Sequence, residues 1–366
     1  MSLTVRLRHA FGGFTLDVAF EAPAGITALF GRSGSGKTTI VNAVAGLMRP
    51  DEGRIVAGDT VLLDTAAGRF VPPHRRRVGY VFQEGRLFPH LSVRQNLLFG
   101  AFFAPRGAPR EDLGRVVDLL GIAHLLGRRP GMLSGGEKSR VAIGRALLAA
   151  PRLLLMDEPL AALDEARKAE IIPYLERLRD ETEVPILYVS HSLPEVARLA
   201  TSLVAIDAGR VVRAGSTTTV LADPAAVPVL GHREAGAILT ARVVRHHADG
   251  LTELAASAGP IYLPTVDAPL GATVRVRIEA HDVIIAREPP SAISALNVLP
   301  VMVTEIAEGS GPGAAVGLQA GEDRLLARIT RRSVGTLGLA PGVACYAILK
   351  STSVARRDVG AGDRAV

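Results

Sequence analysis

An α/β core, followed by a small all-β domain, is the fold class that this sequence predicts. Three observations carry it. Gly31-Arg32-Ser33-Gly34-Ser35-Gly36-Lys37-Thr38 reads G-x-x-x-x-G-K-T, between a short apolar run and a segment able to open a helix. Leu153-Leu154-Leu155-Met156 runs into the paired carboxylates Asp157 and Glu158, the pattern of a buried parallel strand with a polar end. From about residue 236 the pattern changes to short segments of polar/apolar alternation with Gly and Pro between them.

The first element sets the chemistry. Gly25-Ile26-Thr27-Ala28-Leu29-Phe30 is strand-like, and Thr38 to Ala45 can form a helix. Strand, glycine loop and helix together make a phosphate-binding loop, because glycines let backbone N–H groups curl around phosphate oxygens. Gly31, Arg32, Ser33, Gly34, Ser35, Gly36, Lys37, Thr38 and Thr39 are therefore candidate nucleotide contacts. The helix end adds partial positive charge, Lys37 reaches the β- and γ-phosphates, and the Thr38 hydroxyl can ligate Mg2+. The core reads as an α/β P-loop NTPase that takes ATP and Mg2+.

The second element places Asp157 at the carboxyl edge of a strand, where open α/β sheets bind ligands. There Asp157 would hold magnesium, and Glu158 would polarise the attacking water as a general base. Leu133-Ser134-Gly135-Gly136-Glu137 opens a further helix, and its serine and glycines form a second anion-binding end about a hundred residues from the first. Tyr188-Val189-Ser190-His191-Ser192 is a strand ending in a histidine.

In this order the motifs resemble those of the ATP-binding subunits of ABC transporters, over roughly residues 1–235. Gln83 in Tyr80-Val81-Phe82-Gln83 and Ala161-Ala162-Leu163-Asp164 complete the set. The resemblance implies an ABC ATPase core with a helical subdomain, working as a homodimer that sandwiches two nucleotides head to tail. Ser134, Gly135, Gly136 and Glu137 would complete the ATP site of the partner copy, and Asp164 would sit at the dimer seam. His191 would contact the γ-phosphate, Gln83 would sense magnesium and water, and Phe11 is the candidate for stacking on adenine. Glu137 replaces the commoner glutamine and Ala161 the usual serine, and neither change touches the chemistry.

Composition agrees. The 366 residues suit two domains, and 48% hydrophobic content supports sizeable cores. The net charge is +6, and every cation except Lys37, Lys138, Lys168 and Lys350 is arginine. With no tryptophan and 4% aromatic residues, the chain lacks a basic patch with stacking platforms, which counts against a nucleic-acid partner. The densest basic run, His74-Arg75-Arg76-Arg77, reads as a solvated turn. A single cysteine, Cys345, rules out an internal disulfide. The start of the chain is not that of a signal peptide, and no apolar stretch approaches the ~20 residues that span a bilayer. The expected location is peripheral, on the cytoplasmic face of the cell (inner) membrane.

Residues 84–105 are apolar, proline-broken and flanked by charge, with Gly85-Arg86-Leu87-Phe88-Pro89-His90-Leu91 at the start. In the family this segment receives a coupling helix, so two transmembrane permease subunits are the implied partners.

The all-β part is expected to be small and OB-like, with strands at 240–245, 273–278, 325–329 and 345–350. The expected division is 1–235 for the ATP-binding domain, 236–290 for a linking β segment and 291–356 for the last domain. Ser294-Ala295-Leu296-Asn297, Ala327-Arg328-Ile329-Thr330 and Leu349-Lys350-Ser351-Thr352-Ser353 resemble the molybdate/tungstate-binding Mop/TOBE domain. Ser294, Asn297, Lys350, Ser351 and Ser353 are the candidate oxyanion contacts, although Leu296 stands where dedicated molybdate binders carry arginine. His246-His247-Ala248-Asp249 reads as a solvated polar turn rather than a metal site. The chain as a whole is similar to the ATPase subunits of molybdate importers, which are fed by an external molybdate-binding protein. Residues 1–235 suit an importer of sulfate, iron or a sugar nearly as well. A soluble ABC ATPase acting on nucleic acid or the ribosome is the more distant alternative.

Overall fold

A computed structural model describes residues 2–103, 111–161, 163–182, 184–231, 234–309, 311–355 and 358–362. The chain divides into two compact units, one of Met1–His191 with Leu199–Ala214 and one of Ser192–Arg198 with Gly215–Val366.

The first unit is built on an eleven-stranded sheet. Its antiparallel side begins with Leu3–Phe11 and Phe14–Ala22, joined by Gly12-Gly13, a two-glycine hairpin turn between alternating strands. On the parallel side, Ile26–Phe30 and Ile186–Val189 are buried at every position, as are the first four residues of Leu153–Asp157. Such strands carry continuous apolar runs because helices cover both faces. The order Ser202–Asp207, Ile26–Phe30, Ile186–Val189, Leu153–Asp157, Val78–Val81 has direct consequences for the site. These neighbours run parallel, so the P-loop, His191, Asp157 with Glu158, and Gln83 leave the sheet side by side at one carboxyl edge. The helices Val93–Phe103 and Leu113–Leu119 pack on Gly135–Leu148 as the expected helical subdomain. At Gly144 a Cβ would stand 2.7 Å from Leu97 and 3.1 Å from Leu120, so the helices meet closely there.

The basic run at 74–77 is not a solvated turn. Arg76 is only 3% exposed. Its Nη1 donates to the carbonyls of Ala43 (2.7 Å) and Val44 (2.8 Å), and its Nε donates to Val71 O (2.6 Å). The guanidinium lies 4.9 Å from the centre of the Phe70 ring. It thus caps the carboxyl end of the P-loop helix Lys37–Ala45, and burial lowers its pKa to about 10. Arg77 Nη2 donates to Ala150 O at 2.8 Å, while His74 and Arg75 are exposed.

The second unit holds two five-stranded sheets around one apolar core that includes Leu239, Val276, Leu299, Val316, Leu325 and Ala347. Strands Gly236–His246, Thr273–Glu279, Asp323–Thr330 and Ala344–Leu349 stand where the alternation places them. Register shifts at Val243/Arg245 and Val303/Glu305 curl the sheets, as bulges do. The stretch 246–249 is largely exposed, and both histidines are held by neighbours. His246 meets Thr252 Oγ1 and Ala268 O, each at 3.0 Å, and His247 Nε2 lies 3.1 Å from Glu253 Oε2.

Candidate functional site

The phosphate-binding loop is a cradle only glycine can form at two positions. Gly34 has φ +81° and Gly36 φ +101°. A Cβ on Gly36 would also stand 2.7 Å from Leu16 Cδ1. Lys37 Nζ donates to the carbonyls of Gly31 (2.8 Å) and Arg32 (2.9 Å), which aims the ammonium along the loop. Burial lowers its pKa, against the pull of Glu158 and Asp157. Ser35 Oγ is buried with no protein partner. A loop whose glycines and Lys37 ammonium line one hollow has the donor chemistry of a polyphosphate site.

That hollow, about 330 Å³, runs from the loop to Phe11 and Phe14. Lys37, Thr38, Thr39 and Glu158 also line it. Phe11 and Phe14 face each other as the last pair of the hairpin, ring centres 6.3 Å apart. Phe14 packs against Gly36 of the loop and Phe11 lies beyond it, two aromatic rings that suit a flat base. Phe14 is absent from the sequence-level candidates. Its signal is the doublet Gly12-Gly13, which forces flanking aromatics to one face of a hairpin.

At the far side of the loop, the Thr38 side chain neighbours the Asp157 carboxylate and favours its charged form. Burial, then Glu158, raises the pKa of Asp157, while Thr38 and Tyr80 oppose the rise. A hydroxyl and a carboxylate in contact beside a phosphate loop are the oxygen donors that Mg2+ takes. Tyr80 is a further residue that sequence reasoning did not single out. Its hydroxyl lies 3.4 Å from Asp157 Oδ2 and 3.3 Å from Asn42 Oδ1, and its ring stacks on Phe82 at 4.0 Å. Glu158 has a left-handed backbone, φ +47°, held by its N–H on Val189 O at 3.0 Å. Its carboxylate reaches His191, with Oε2 3.3 Å from Nδ1. The fold therefore brings Glu158, His191, Asp157, Thr38, the phosphate loop and Phe11 together.

Other candidates lie apart from this hollow. Gln83 is exposed in the turn after Val78–Val81. Asp164 caps the helix Glu165–Glu181, accepting from Arg167 N at 2.9 Å, and Ala162 lies outside the described residues. Ser134 begins the helix Gly135–Leu148 in a capping box: Ser134 Oγ accepts from Glu137 N at 3.2 Å, and Glu137 Oε2 accepts from Ser134 N at 2.7 Å. Glutamate at 137 thus has a structural use, and the Ser134 amide holds its carboxyl below the ordinary range. Ser134→Ala is expected to cost about 1 kcal/mol of stability, read by urea denaturation. An unchanged midpoint would show that the box contributes nothing.

Residues 85–92 form a loop held by buried Asn96. Its Oδ1 accepts from Phe88 N at 2.8 Å, and its Nδ2 donates to Phe88 O, Leu91 O and Ser92 O. Beside it, Leu98 and Phe99 are each 39% exposed and Phe102 is 83% exposed. Residues 104 and 105 lie outside the described residues.

In the second unit, four of the five oxyanion candidates are gathered where Asn297 faces Leu349 across the ladder. Asn297 is fully buried, and its amide accepts from Tyr262 N (2.7 Å) and donates to Tyr262 O (3.1 Å). It also lies 3.5 Å from Ser351 Oγ. Lys350 is exposed, and its carbonyl accepts from Ser353 Oγ at 2.9 Å. Ser294 and Leu296 sit in the exposed stretch before the strand.

Residues 16–161 match the ABC transporter family, and residues 293–355 match the TOBE domain. The molybdenum import ATP-binding protein ModC of Mesorhizobium japonicum is 53% identical over 99% of this chain and 98% of its own length. The chain belongs to the family of molybdenum import ATP-binding proteins. Family members of the same name from Rhizobium etli and Paramagnetospirillum magneticum are each 50% identical, over 97% and 99% of this chain and 99% and 100% of their own. Among solved structures, cbiO1 of Clostridium perfringens, part of the ABC transporter complex cbiONQ, superposes with a TM-score of 0.52 at 28% identity. It covers 62% of this chain and 92% of its own. A nucleotide-free ATP-binding cassette from an ABC transporter gives 0.51 at 26% identity, over 62% and 98%. The first unit is thus an ABC ATPase core, and the second carries the all-β TOBE domain.

Proposed function

We propose that this chain hydrolyses ATP to energise molybdate import across the cell membrane, as the ATP-binding subunit of an ABC transporter. One observation carries the ATPase part: a single hollow is lined by the phosphate loop, Thr38 and Glu158, with Asp157 beside Thr38 and His191 on the Glu158 carboxylate. The substrate follows from likeness to the molybdenum import proteins, which spans both units rather than the ATPase core alone.

In this reading the N–H groups of residues 31–39 and the Lys37 ammonium hold the β- and γ-phosphates, while Phe11 stacks on adenine. Thr38 and Asp157, with Gln83, would hold Mg2+, which when bound neutralises charge developing on the phosphates. Glu158 takes a proton from the attacking water, and His191, on the Glu158 carboxylate, faces the γ-phosphate. Ser134, Gly135, Gly136 and Glu137 serve the second copy of a homodimer, with Asp164 at the seam. Their distance from this chain's own hollow supports that assignment. The exposed Leu98, Phe99 and Phe102 beside the loop at 85–92 suit one of two permease subunits. The complex would sit on the cytoplasmic face of the membrane, be fed by an external binding protein, and need no nucleic acid. No described helix is long and apolar enough to cross a membrane. The proposed domains are 1–235, 236–290 and 291–356.

Reconstitution with permease subunits and binding protein in vesicles tests this reading. ATP-dependent uptake of molybdate, undiminished by excess sulfate, is expected. Uptake of sulfate in place of molybdate would overturn the substrate assignment and leave the ATPase intact.

The exposed Lys350, with Ser351, Ser353, Ser294 and Asn297, is the proposed oxyanion site of the second unit. Calorimetry on the purified protein should show heat with molybdate, none with sulfate, and none with either after Lys350→Ala. Equal responses to the two anions would remove this role from the second unit. Asn297→Ala is a poor probe, because its amide ties the strands Gly259–Pro264 and Asn297–Glu308 together.

A further inference from the structure

The base end of the hollow has a support of its own that no motif announces. Phe11 stands at the tip of a hairpin and is 42% exposed, with Phe14 its one neighbour across the ladder. His9 lies two residues earlier and therefore on the same face of the strand. Its ring meets Phe11 edge to face, with centres 4.3 Å apart and planes at 89°. His9 is itself held from behind. The ladder between Leu3–Phe11 and Glu52–Ala57 ends with Arg8 opposite Glu52, which puts His9 next to Asp51. His9 Nδ1 lies 3.0 Å from Asp51 Oδ2, without the alignment of a linear hydrogen bond. The same Asp51 oxygen accepts from Ala10 N at 2.9 Å, so one carboxylate grips both residues that precede Phe11. Asp51 follows the turn that ends the P-loop helix, whose C-cap is Gly46.

We propose that Asp51 and His9 are positioning residues for nucleobase recognition, holding the Phe11 ring at the angle at which a base stacks. The proposal rests on the reading of Phe11 as the adenine platform. An exposed aromatic ring that must be immobilised on binding loses rotamer entropy, whereas a ring already held does not. His9 pre-orders Phe11 from its edge, Phe14 flanks it, and Asp51 fixes His9 and the Ala10 backbone. Because Asp51 stands just beyond the phosphate-loop helix, the base and the phosphates are aligned by one continuous piece of structure. Neither His9 nor Asp51 is among the residues that line the hollow.

The role separates cleanly from a general effect on folding, because a ligand without a base does not use it. Binding of Mg-ATP and of magnesium tripolyphosphate would be measured by calorimetry on the full chain. His9→Ala and the more exposed Asp51→Asn should each weaken ATP by about two- to tenfold, the range of an aromatic edge-to-face contact, with tripolyphosphate unchanged. In a Phe11→Ala background, His9→Ala should weaken ATP no further, since the two act through one ring. Equal losses for both ligands, or full additivity with Phe11→Ala, would overturn the proposal. Phe11→Ala with wild-type ATP affinity would remove the base platform itself and the proposal with it. Asp51→Asn keeps the test decisive if His9→Ala fails to fold.

Discussion

Glu158→Gln should bind ATP as the wild type does and turn it over roughly 10²–10⁴-fold more slowly, the range for a lost general base. The amide keeps the size of the carboxylate and can still occupy its place near His191, but it cannot accept a proton from water. Steady-state phosphate release and calorimetric ATP affinity, measured on the same preparation, check the two halves of the statement. Turnover within a few-fold of wild type would take the general-base role away from Glu158. Loss of ATP binding would instead mean that the substitution disturbs the left-handed turn at this residue, where φ is +47°. Glu158→Ala distinguishes these cases, since it removes the carboxylate without offering a new donor to His191.

The second large effect is one of stability. Arg76→Ala is expected to cost about 3–5 kcal/mol, because it strands the carbonyls of Val44 and Val71, takes one of two donors from Ala43 O and leaves a buried void. For a unit of this size that lowers the melting temperature by roughly 10 °C, visible by scanning calorimetry. Arg76→Lys should recover only a small part. An ammonium is a compact point donor and cannot reproduce a planar fork that serves three carbonyls and lies over Phe70. A melting temperature within a degree or two of wild type for Arg76→Ala would show that water satisfies those carbonyls as well. Since the capped helix is the one that opens with Lys37, weakened ATP binding in Arg76→Ala should accompany the thermal shift.

The chemistry was legible in the sequence because it is written in short local motifs. G-x-x-x-x-G-K-T needs only its own glycines and the following helix to make a phosphate cradle. Leu153 to Glu158 needs only a run of apolar residues to carry carboxylates to a strand end. The hairpin tip was half legible, since Phe11 was singled out while Phe14 was not, though the doublet between them sets both on one face. The basic run at 74–77 was misread because charge density says nothing about what lies over it. Arg76 is buried by Phe70 and by a helix end some thirty residues earlier, and its hydrogen bonds reach back across that gap.

By itself, then, the sequence determined the class of the molecule: an ATPase core followed in the chain by a β domain, with its phosphate loop and its paired carboxylates. These follow from local periodicity and from residues adjacent in the chain, which act over one or two turns of backbone. Tertiary structure alone decided the pairings between distant segments. It set Tyr80 against Asp157 and Asn42, His191 against Glu158, Asp51 behind His9, and the Asn297 amide on Tyr262. Each of these joins residues brought together by strand order and register. A side chain's partner across a sheet depends on the packing of the whole unit, which no local pattern encodes.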